Sequence, residues 1–352
     1  MSPPSSPLAK QGNKPVTRQG TLLSSALAAG LLLAVGAGCS APGEPATLEL
    51  VQTIPLEGPA GRLDHLAIDS AHARLFVANM ANSSLDVVDL KAGKLVKQIP
   101  GQKGIQGIAY APDPDRIFVG NEAGGICNAF DGRDYSLVKQ FRFADDADNV
   151  RYEPRKQRIY VAHAERSLAV IDAKKLEIVS DIKVPGQPEA FQLEKERPRL
   201  YLNVPSARAV VVIDTEQDKE TARYSLTLAG VNYPMALDEA SSRIFVGCRQ
   251  PASIVFLDSN SGKEVTKVTI PGDTDDVFFD ARRHRLYASC GEGYLAVVRQ
   301  VDADHYELVE KIATAKLART CFFDPSAGRL YLVVPRQEGQ NGPEIRVYAA
   351  RP

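Results

Sequence analysis

The tetrapeptide Arg74-Leu75-Phe76-Val77 decides the fold, because its pattern of one arginine followed by β-forming residues occurs seven times in the chain. The other six copies are Arg116-Ile117-Phe118-Val119, Arg158-Ile159-Tyr160-Val161, Arg199-Leu200-Tyr201-Leu202, Arg243-Ile244-Phe245-Val246, Arg285-Leu286-Tyr287-Ala288 and Arg329-Leu330-Tyr331-Leu332. Consecutive copies are 41 to 44 residues apart. A period in this range indicates a solenoid or a propeller, and the β character of each unit selects the propeller.

Each repeat predicts four antiparallel strands separated by short turns. In the first unit the strands are predicted over 64–69, 74–79, 85–90 and 94–100. The last unit, from Arg319 to Ala350, supplies only three strands, and Leu48–Pro55 matches the fourth-strand sequence Leu95–Pro100. We therefore predict an all-β, seven-bladed β-propeller over residues 48–352. Its ring is closed by the N-terminal strand, which completes the last blade.

The first 38 residues have the layout of a bacterial export signal. Three basic residues and no acidic residue precede an apolar stretch over 21–38, and Cys39 follows directly. A lipoprotein signal has this order, and its cysteine becomes the lipidated first residue. There are two alternatives: simple cleavage nearby, for instance after Ala41, or an uncleaved anchor. We predict a lipoprotein-type export signal over 1–38, a flexible tether over 39–47, and a lipid-anchored protein in the periplasm or cell envelope.

Charge and motifs narrow the class of function. The formal net charge is −1 and no long basic run is present, which is a poor basis for binding nucleic acid. The sequence has no GxSxG elbow, no phosphate loop and no GxGxxG after a strand. It therefore favours a monomeric binding or scaffolding module for an unidentified protein or small-molecule ligand. We expect it to meet the membrane only through the lipid anchor.

Several sequence segments resemble those of the YVTN-repeat β-propeller family. They are the residues 74–79, the run Val87-Val88-Asp89 and the Gly93-Lys94 turn. Residues 245–249, 289–293 and 318–320 resemble the exported YncE-like branch more particularly. The resemblance covers roughly 48–352 and implies an exported seven-bladed propeller, for most members of which the biochemical role is undefined. More distant propeller relatives include lactone hydrolases, so the resemblance admits an enzyme without supporting one.

Strand polarity predicts which side chains surround the mouth of the central channel. Strands within a blade are antiparallel, so the start of each inner strand and the end of each second strand share one face. The ligand-binding candidates on this face are Asp64, His65, Asp148, Asn149, Glu189, Asp275, Asp276 and Arg319. We predict an acid-rich interaction surface there, whereas the opposite rim is basic.

Carboxylates gathered around a hole repel one another, so a hard cation, an arginine or bulk water should offset their charge. A calcium-like ion would take oxygens from Asp148, Glu189 and Asp276, with Asn149 completing the shell. In that case His65 is the candidate proton carrier of a divalent-cation-dependent, lactonase-like hydrolase. The alternative to an ion is a wet channel mouth with solvated charges.

The four cysteines other than Cys39 divide into two groups. Cys127 and Cys321 fall in apolar positions of the repeat and are predicted to be buried. Cys248 and Cys290 occupy equivalent positions in adjacent blades, which leaves open a disulfide, a thiolate metal pair or two independent thiols.

Two patterns favour structural roles. None of the five histidines has metal-motif spacing, so we expect each to be solvated at the surface. An acid precedes the repeat arginine by five residues in six units, as Asp69 precedes Arg74. This spacing predicts a staple of the inner hairpin, in which the acid and the arginine meet or either one bonds the loop backbone; an anion-binding rim is the alternative.

Overall fold

The structure, a computed structural model, describes residues 46–164 and 166–352. These residues form seven antiparallel four-stranded sheets and one 3-10 helix, Pro205–Ala207. Within the same ranges no helix has the length and apolar content needed to cross a bilayer. The predicted signal over 1–38 and the predicted lipidation site Cys39 lie outside the described residues.

Each of the first six blades consists of four consecutive strands. Blades 1 and 2 contain β2 (Leu66–Asp69), β3 (Arg74–Asn79), β4 (Ser84–Asp89), β5 (Lys94–Pro100), β6 (Ile105–Ala111), β7 (Arg116–Asn121), β8 (Ile126–Asp131) and β9 (Leu137–Arg142). Blades 3 and 4 contain β10 (Ala147–Glu153), β11 (Arg158–His163), β12 (Ser167–Asp172), β13 (Glu177–Lys183), β14 (Phe191–Leu193), β15 (Arg199–Val204), β16 (Ala209–Asp214) and β17 (Lys219–Ser225). Blades 5 and 6 contain β18 (Gly230–Asp238), β19 (Arg243–Gln250), β20 (Ala252–Asp258), β21 (Glu264–Thr269), β22 (Thr274–Asp280), β23 (Arg285–Cys290), β24 (Tyr294–Gln300) and β25 (Tyr306–Ala313).

The seventh blade joins the two ends of the propeller. Its inner three strands are β26 (Cys321–Asp324), β27 (Arg329–Val334) and β28 (Glu344–Ala350), and its outer strand is β1 (Leu48–Pro55). β1 pairs antiparallel with β28, with Leu48 opposite Ala350 and Ile54 opposite Ile345. The prediction of a seven-bladed propeller closed by its first strand is confirmed.

The apolar core is divided into seven clusters, one between each pair of neighbouring blades. Because alternate residues of a strand point to opposite faces, each sheet contributes to the cluster on either side of it. The cluster between blades 7 and 1 packs Ile54 and Ile345 against Leu75 and Val77. Ring closure is therefore stabilised by buried apolar surface as well as by strand pairing.

Every outer strand contains a β-bulge at the same position of the repeat. The extra residues are Val51, Val96, Val138, Val179, Thr221, Val265 and Val309. A bulge increases local twist and interrupts the regular row of unpaired backbone groups. The seven exposed edges are thus poor templates for pairing with another chain.

The predicted hairpin ion pair is present in the first blade, where Arg74 Nη2 lies 2.7 Å from Asp69 Oδ2. No other acid of the pattern is paired with its repeat arginine in the described residues. Glu153, for example, accepts hydrogen bonds from the main-chain amides of Arg155 and Lys156. Asp238, Asp280 and Asp324 accept from turn amides in the same way, so in most blades the acid takes the other predicted role and binds the loop backbone.

Most of the repeat arginines instead connect neighbouring blades. In five blades the guanidinium donates to a main-chain carbonyl that follows the third strand of the next blade. The pairs are Arg74 with Gly132, Arg116 with Ala173, Arg158 with Thr215, Arg243 with Ala303 and Arg285 with Arg351. These contacts hold adjacent sheets together outside the apolar clusters, and we call them the interblade arginine clamps.

The clamp of Arg74 should contribute measurably to stability. Its side chain is 15% exposed and binds Asp69, Asp115 and Gly132. We expect Arg74→Ala to lower the free energy of unfolding by about 1.5–3 kcal/mol, because buried charge-assisted hydrogen bonds are lost. Chemical denaturation measures the change.

Arg133→Ala is the matched control, since Arg133 is 82% exposed and pairs only with Asp131 among the described residues. A solvent-exposed pair of this kind is worth at most about 1 kcal/mol. Equal effects of the two substitutions would contradict the interblade role of Arg74.

Candidate functional site

The channel mouth is built by a second set of β-bulges, at the start of the inner strands. In blade 3 both Asp148 and Asn149 lie opposite the single residue Ala162. In blade 1 the main chain of Ala78 bonds to both Asp64 and His65. A bulge redirects the side chains of the residues that it contains.

The same two-against-one arrangement recurs around the ring. The bulged positions in blades 2, 4, 5 and 6 are Gln106-Gly107, Glu189-Ala190, Tyr233-Pro234 and Asp275. The first residue of the bulge lines the mouth in blades 2 to 6, and the second, His65, does so in blade 1, so one backbone irregularity gathers polar side chains from six blades.

These side chains enclose a polar cavity of about 270 Å³, which we call the outer cavity. It is lined by Arg62, His65, Gln106, Glu122, Asp146, Asp148, Asn149, Glu189, Ala190, Tyr233, Arg249, Asp275 and Arg319. Six of the eight predicted ligand-binding residues belong to this set. Asp276 lines a second, more apolar cavity of about 270 Å³ deeper in the channel, which we call the inner cavity. Asp64 is fully buried beside Arg62 and His65.

One side of the outer cavity is a network of arginines and carboxylates. Asp275 lies 2.6 Å from Arg249 Nη2 and 3.0 Å from Arg319 Nε. Asp273 accepts a hydrogen bond from Arg319 at 3.0 Å, and Arg249 stacks over Tyr233 with its Cζ 4.2 Å from the ring centroid. Charges on this side are therefore largely matched, by arginine side chains rather than by an ion.

Four residues of the outer cavity were not predicted from the sequence: Arg62, Glu122, Asp146 and Arg249. Arg249 lies near the end of β19, the second strand of blade 5, so the rule that the ends of second strands share this face could have found it. Arg62 precedes the inner strand, in a segment whose path no periodicity predicts. The mouth is thus mixed in charge, not simply acidic.

The other side of the outer cavity has carboxyl groups without arginine partners. Asp148 and Glu189 receive no ion pair from the described residues. Burial raises the pKa of Glu189 to about 8, and the neighbouring Asp148, Asp275 and Asp146 carboxylates add to the effect. Burial also raises the pKa of Asp148 to about 6. Asp146 accepts hydrogen bonds from the amides of Gln106 and Gln187.

His65 lies between the outer and inner cavities. Its Nδ1 is 3.5 Å from Asp276 Oδ1 and its Nε2 is 3.6 Å from Asp64 Oδ1. Burial opposes charge on the ring, but the Asp276 and Asp64 carboxylates raise the pKa of His65 to about 10. The imidazole is therefore protonated at neutral pH, and it has no lone pair free to act as a general base.

The three predicted metal ligands do not line one cavity. Asp148 and Glu189 face the outer cavity, whereas Asp276 faces the inner one and accepts a 2.9 Å hydrogen bond from the Cys321 main-chain amide. Over residues 46–164 and 166–352, no group of three or more His, Cys, Asp or Glu side chains could hold a metal ion.

Two of the histidine predictions were wrong. His65 is 9% exposed and His163 is 2% exposed, so neither is solvated. His163 stacks on Phe143 and lies 3.0 Å from Asp181. Packing between blades covers these positions although they lie near the ends of strands.

The four cysteines among residues 46–164 and 166–352 are buried, as predicted for Cys127 and Cys321. Cys248 and Cys290 are also fully buried, and neither forms a disulfide. Burial raises the pKa of each of these two thiols to about 12. Neutral thiols are weak nucleophiles and weak metal ligands, which favours two independent thiols.

No protein-family model matches the chain. No curated protein matches it either. Similar solved structures include Kuenenia stuttgartiensis hydrazine synthase, with a TM-score of 0.73 and 14% identity over 84% of this chain and 98% of that one. The RRP9 WD40 repeats match with a TM-score of 0.73 and 12% identity over 85% of this chain and 97% of that one. U3-55K matches with a TM-score of 0.72 and 12% identity over 84% of this chain and 98% of that one. At this identity the similarity shows a seven-bladed, WD40-like propeller fold and nothing further.

The bulge of blade 3 leaves no room for a side chain at Gly107. A Cβ atom there would lie 1.9 Å from the Asp148 carbonyl oxygen, although the φ of Gly107 is outside the left-handed region. We expect Gly107→Ala to lower the free energy of unfolding by about 1–3 kcal/mol through overpacking, measured by chemical denaturation.

Gly230→Ala is the control, since its Cβ would meet Arg208 Nε at an ordinary 3.5 Å. If Gly107→Ala were as stable as Gly230→Ala, the close approach of the two inner strands would be disproved.

The raised pKa of Glu189 predicts a pH dependence of stability. The unfolded carboxyl ionises near 4.5, whereas the folded one stays protonated up to about pH 8. The folded state binds more protons in this window, so its stability falls as the pH rises from about 5 to 8. We expect Glu189→Gln to flatten this slope, as measured by denaturation at several pH values.

The exposed Glu177→Gln should keep the wild-type slope. Indistinguishable slopes for wild type and Glu189→Gln would show that Glu189 is not a buried neutral carboxyl.

Proposed function

We propose that the chain is an exported binding or scaffolding module whose acid-rich channel-mouth face is the interaction surface. The observation that carries the proposal is the unmatched side of the outer cavity. There, Asp148 and Glu189 face a polar space without an arginine partner among the described residues. Burying unpaired carboxyl groups costs stability, and a binding role gives a reason for keeping them.

Ring geometry supports a binding role at the mouth. Seven interblade clusters and the arginine clamps hold the inner strands, so the side chains at the mouth are held in place before a ligand arrives. A site of this kind binds without a large ordering cost. The bulged outer edges favour a monomer, because they oppose strand pairing between copies.

Export and anchoring rest on the sequence before residue 46. The apolar stretch over 21–38 followed by Cys39 supports a lipoprotein signal, which places the propeller in the periplasm or cell envelope. The phrases over 245–249, 289–293 and 318–320 support membership of the exported YncE-like branch of the YVTN-repeat family. The partner is an unidentified protein or small molecule, and the absence of a long basic run disfavours nucleic acid.

The hydrolase alternative has less support. A calcium-dependent lactonase needs several oxygen ligands around one ion and a group that can accept a proton. Asp276 lines a different cavity from Asp148 and Glu189, and His65 is held as an imidazolium by Asp64 and Asp276. No observation at the site favours hydrolysis over binding.

A photo-crosslinking amino acid tests which face binds. Leu317 is 63% exposed beside Arg62 and Arg319 on the mouth face, whereas the His72 side chain is 66% exposed in a turn on the opposite face. With the crosslinker introduced in cells that make the protein, we expect adducts from position 317 and none from position 72. Adducts only from position 72 would contradict the proposal.

A further inference from the structure

We infer that the outer cavity binds an organic cation, whose ammonium group contacts Asp148 and Glu189. The inference rests on the proposed function and gives the chemical class of the ligand. It is drawn from the burial of Asp148, from the distribution of charge around the cavity and from the shortage of oxygen ligands for a metal.

Asp148 presents a buried acceptor with no donor. Its side chain is 9% exposed and lines the outer cavity. Oδ2 accepts a 3.2 Å hydrogen bond from Asn149 Nδ2, but Oδ1 has no partner among the described residues. Leaving a buried carboxylate oxygen unsatisfied costs stability, and a ligand N–H would remove this cost.

Glu189 supplies a second acceptor on the same cavity. No described residue donates a hydrogen bond to its carboxyl group, and Asp148 is the neighbouring charge that affects it most. Two carboxyl groups that share a space repel one another when both are ionised. A cation that contacts both converts this repulsion into attraction.

The arginines of the mouth do not fill this role, because they are already paired. Arg249 and Arg319 bind Asp273 and Asp275, and Arg62 lies 2.7 Å from Asp64. Moving Arg249 toward Glu189 would break its ion pairs and its stacking on Tyr233. The unmatched negative charge is therefore open to a ligand.

An ammonium group suits the site better than a divalent metal. Calcium takes six to eight oxygen ligands, whereas the third predicted carboxylate, Asp276, is bound to the Cys321 amide in the inner cavity. An ammonium needs two or three acceptors, a number that Asp148 and Glu189 can supply. An anion would be repelled by the same two groups.

Binding should depend on pH because both carboxyl groups must be ionised. Their pKa values are raised to about 6 and about 8. The charged groups that face them are His65, Asp146, Asp275, Arg62 and Arg249. The pKa of His65 is raised to about 10 and that of Asp275 to about 6, both outside the range 6.5–8.5, so we assign a change in affinity across this range to Glu189.

The test is calorimetric titration of the full-length chain, purified in detergent, with n-butylammonium chloride. The neutral isostere n-butanol and calcium chloride are titrated in parallel. We expect saturable binding of n-butylammonium, tighter at pH 8.5 than at pH 6.5, and no response to n-butanol. The double variant Asp148→Asn, Glu189→Gln should weaken the binding at least tenfold.

The control variant is Asp113→Asn, Glu216→Gln, which removes two exposed acids from turns on the opposite face and should bind as the wild type does. Equal binding of n-butanol, unchanged affinity in the first double variant, or displacement of n-butylammonium by calcium would overturn the inference. If the first double variant fails to fold, the wild-type protein still tests the inference. Binding of n-butylammonium that is tighter at pH 8.5 than at pH 6.5, without binding of n-butanol, supports it, and any other result overturns it.

The two proposals fail in different ways. If n-butylammonium does not bind while crosslinks from position 317 persist, the ligand class is wrong and the mouth remains the interaction surface. If n-butylammonium does not bind and no crosslinks form from position 317, the proposed function fails together with the inference.

Discussion

The pairing of β1 with β28 is the constraint on which the rest of the structure depends. It joins residues almost 300 positions apart in the chain and turns seven sheets into a ring. Without it, blade 7 would lack its outer strand, and the apolar cluster shared by blades 7 and 1 would lose Ile54. The channel mouth depends on this closure, because only a ring brings the starts of seven inner strands around one axis.

The bulges at the start of the inner strands connect the fold to the site. A regular strand start would alternate side chains between the two neighbouring blades. The extra residue changes this direction, so that Asp148 and Glu189 face the cavity instead of the interblade core. The bulge also explains the glycine at 107, since the backbone of the next blade occupies the space that a side chain would need. Chemistry at the mouth is thus set by backbone geometry first and by residue identity second.

The fold was predictable because each of its features has a recognisable pattern in a short stretch of sequence. Leu48–Pro55 resembles Leu95–Pro100, and this similarity alone identified the strand that closes the ring. The mouth was partly predictable, since strand polarity places Asp148 and Asp275 correctly. Its charge balance was not, because the pairing of Arg62 with Asp64 depends on the path of a loop before the inner strand. Partners that meet across blades, such as Arg74 and Gly132, leave no signature at a fixed spacing that a single sequence reveals.

The interblade arginine clamps have a consequence for how such a ring can change. Their acceptor is a main-chain carbonyl, which every amino acid possesses, so the residue that supplies it is free to vary. The five residues whose carbonyl accepts this hydrogen bond are Gly132, Ala173, Thr215, Ala303 and Arg351. A turn can therefore accumulate substitutions without losing its clamp, whereas the side chains of the interblade apolar clusters must still fit those of the neighbouring blade. The clamp constrains one side chain, the arginine, and leaves the other half of the contact to the backbone.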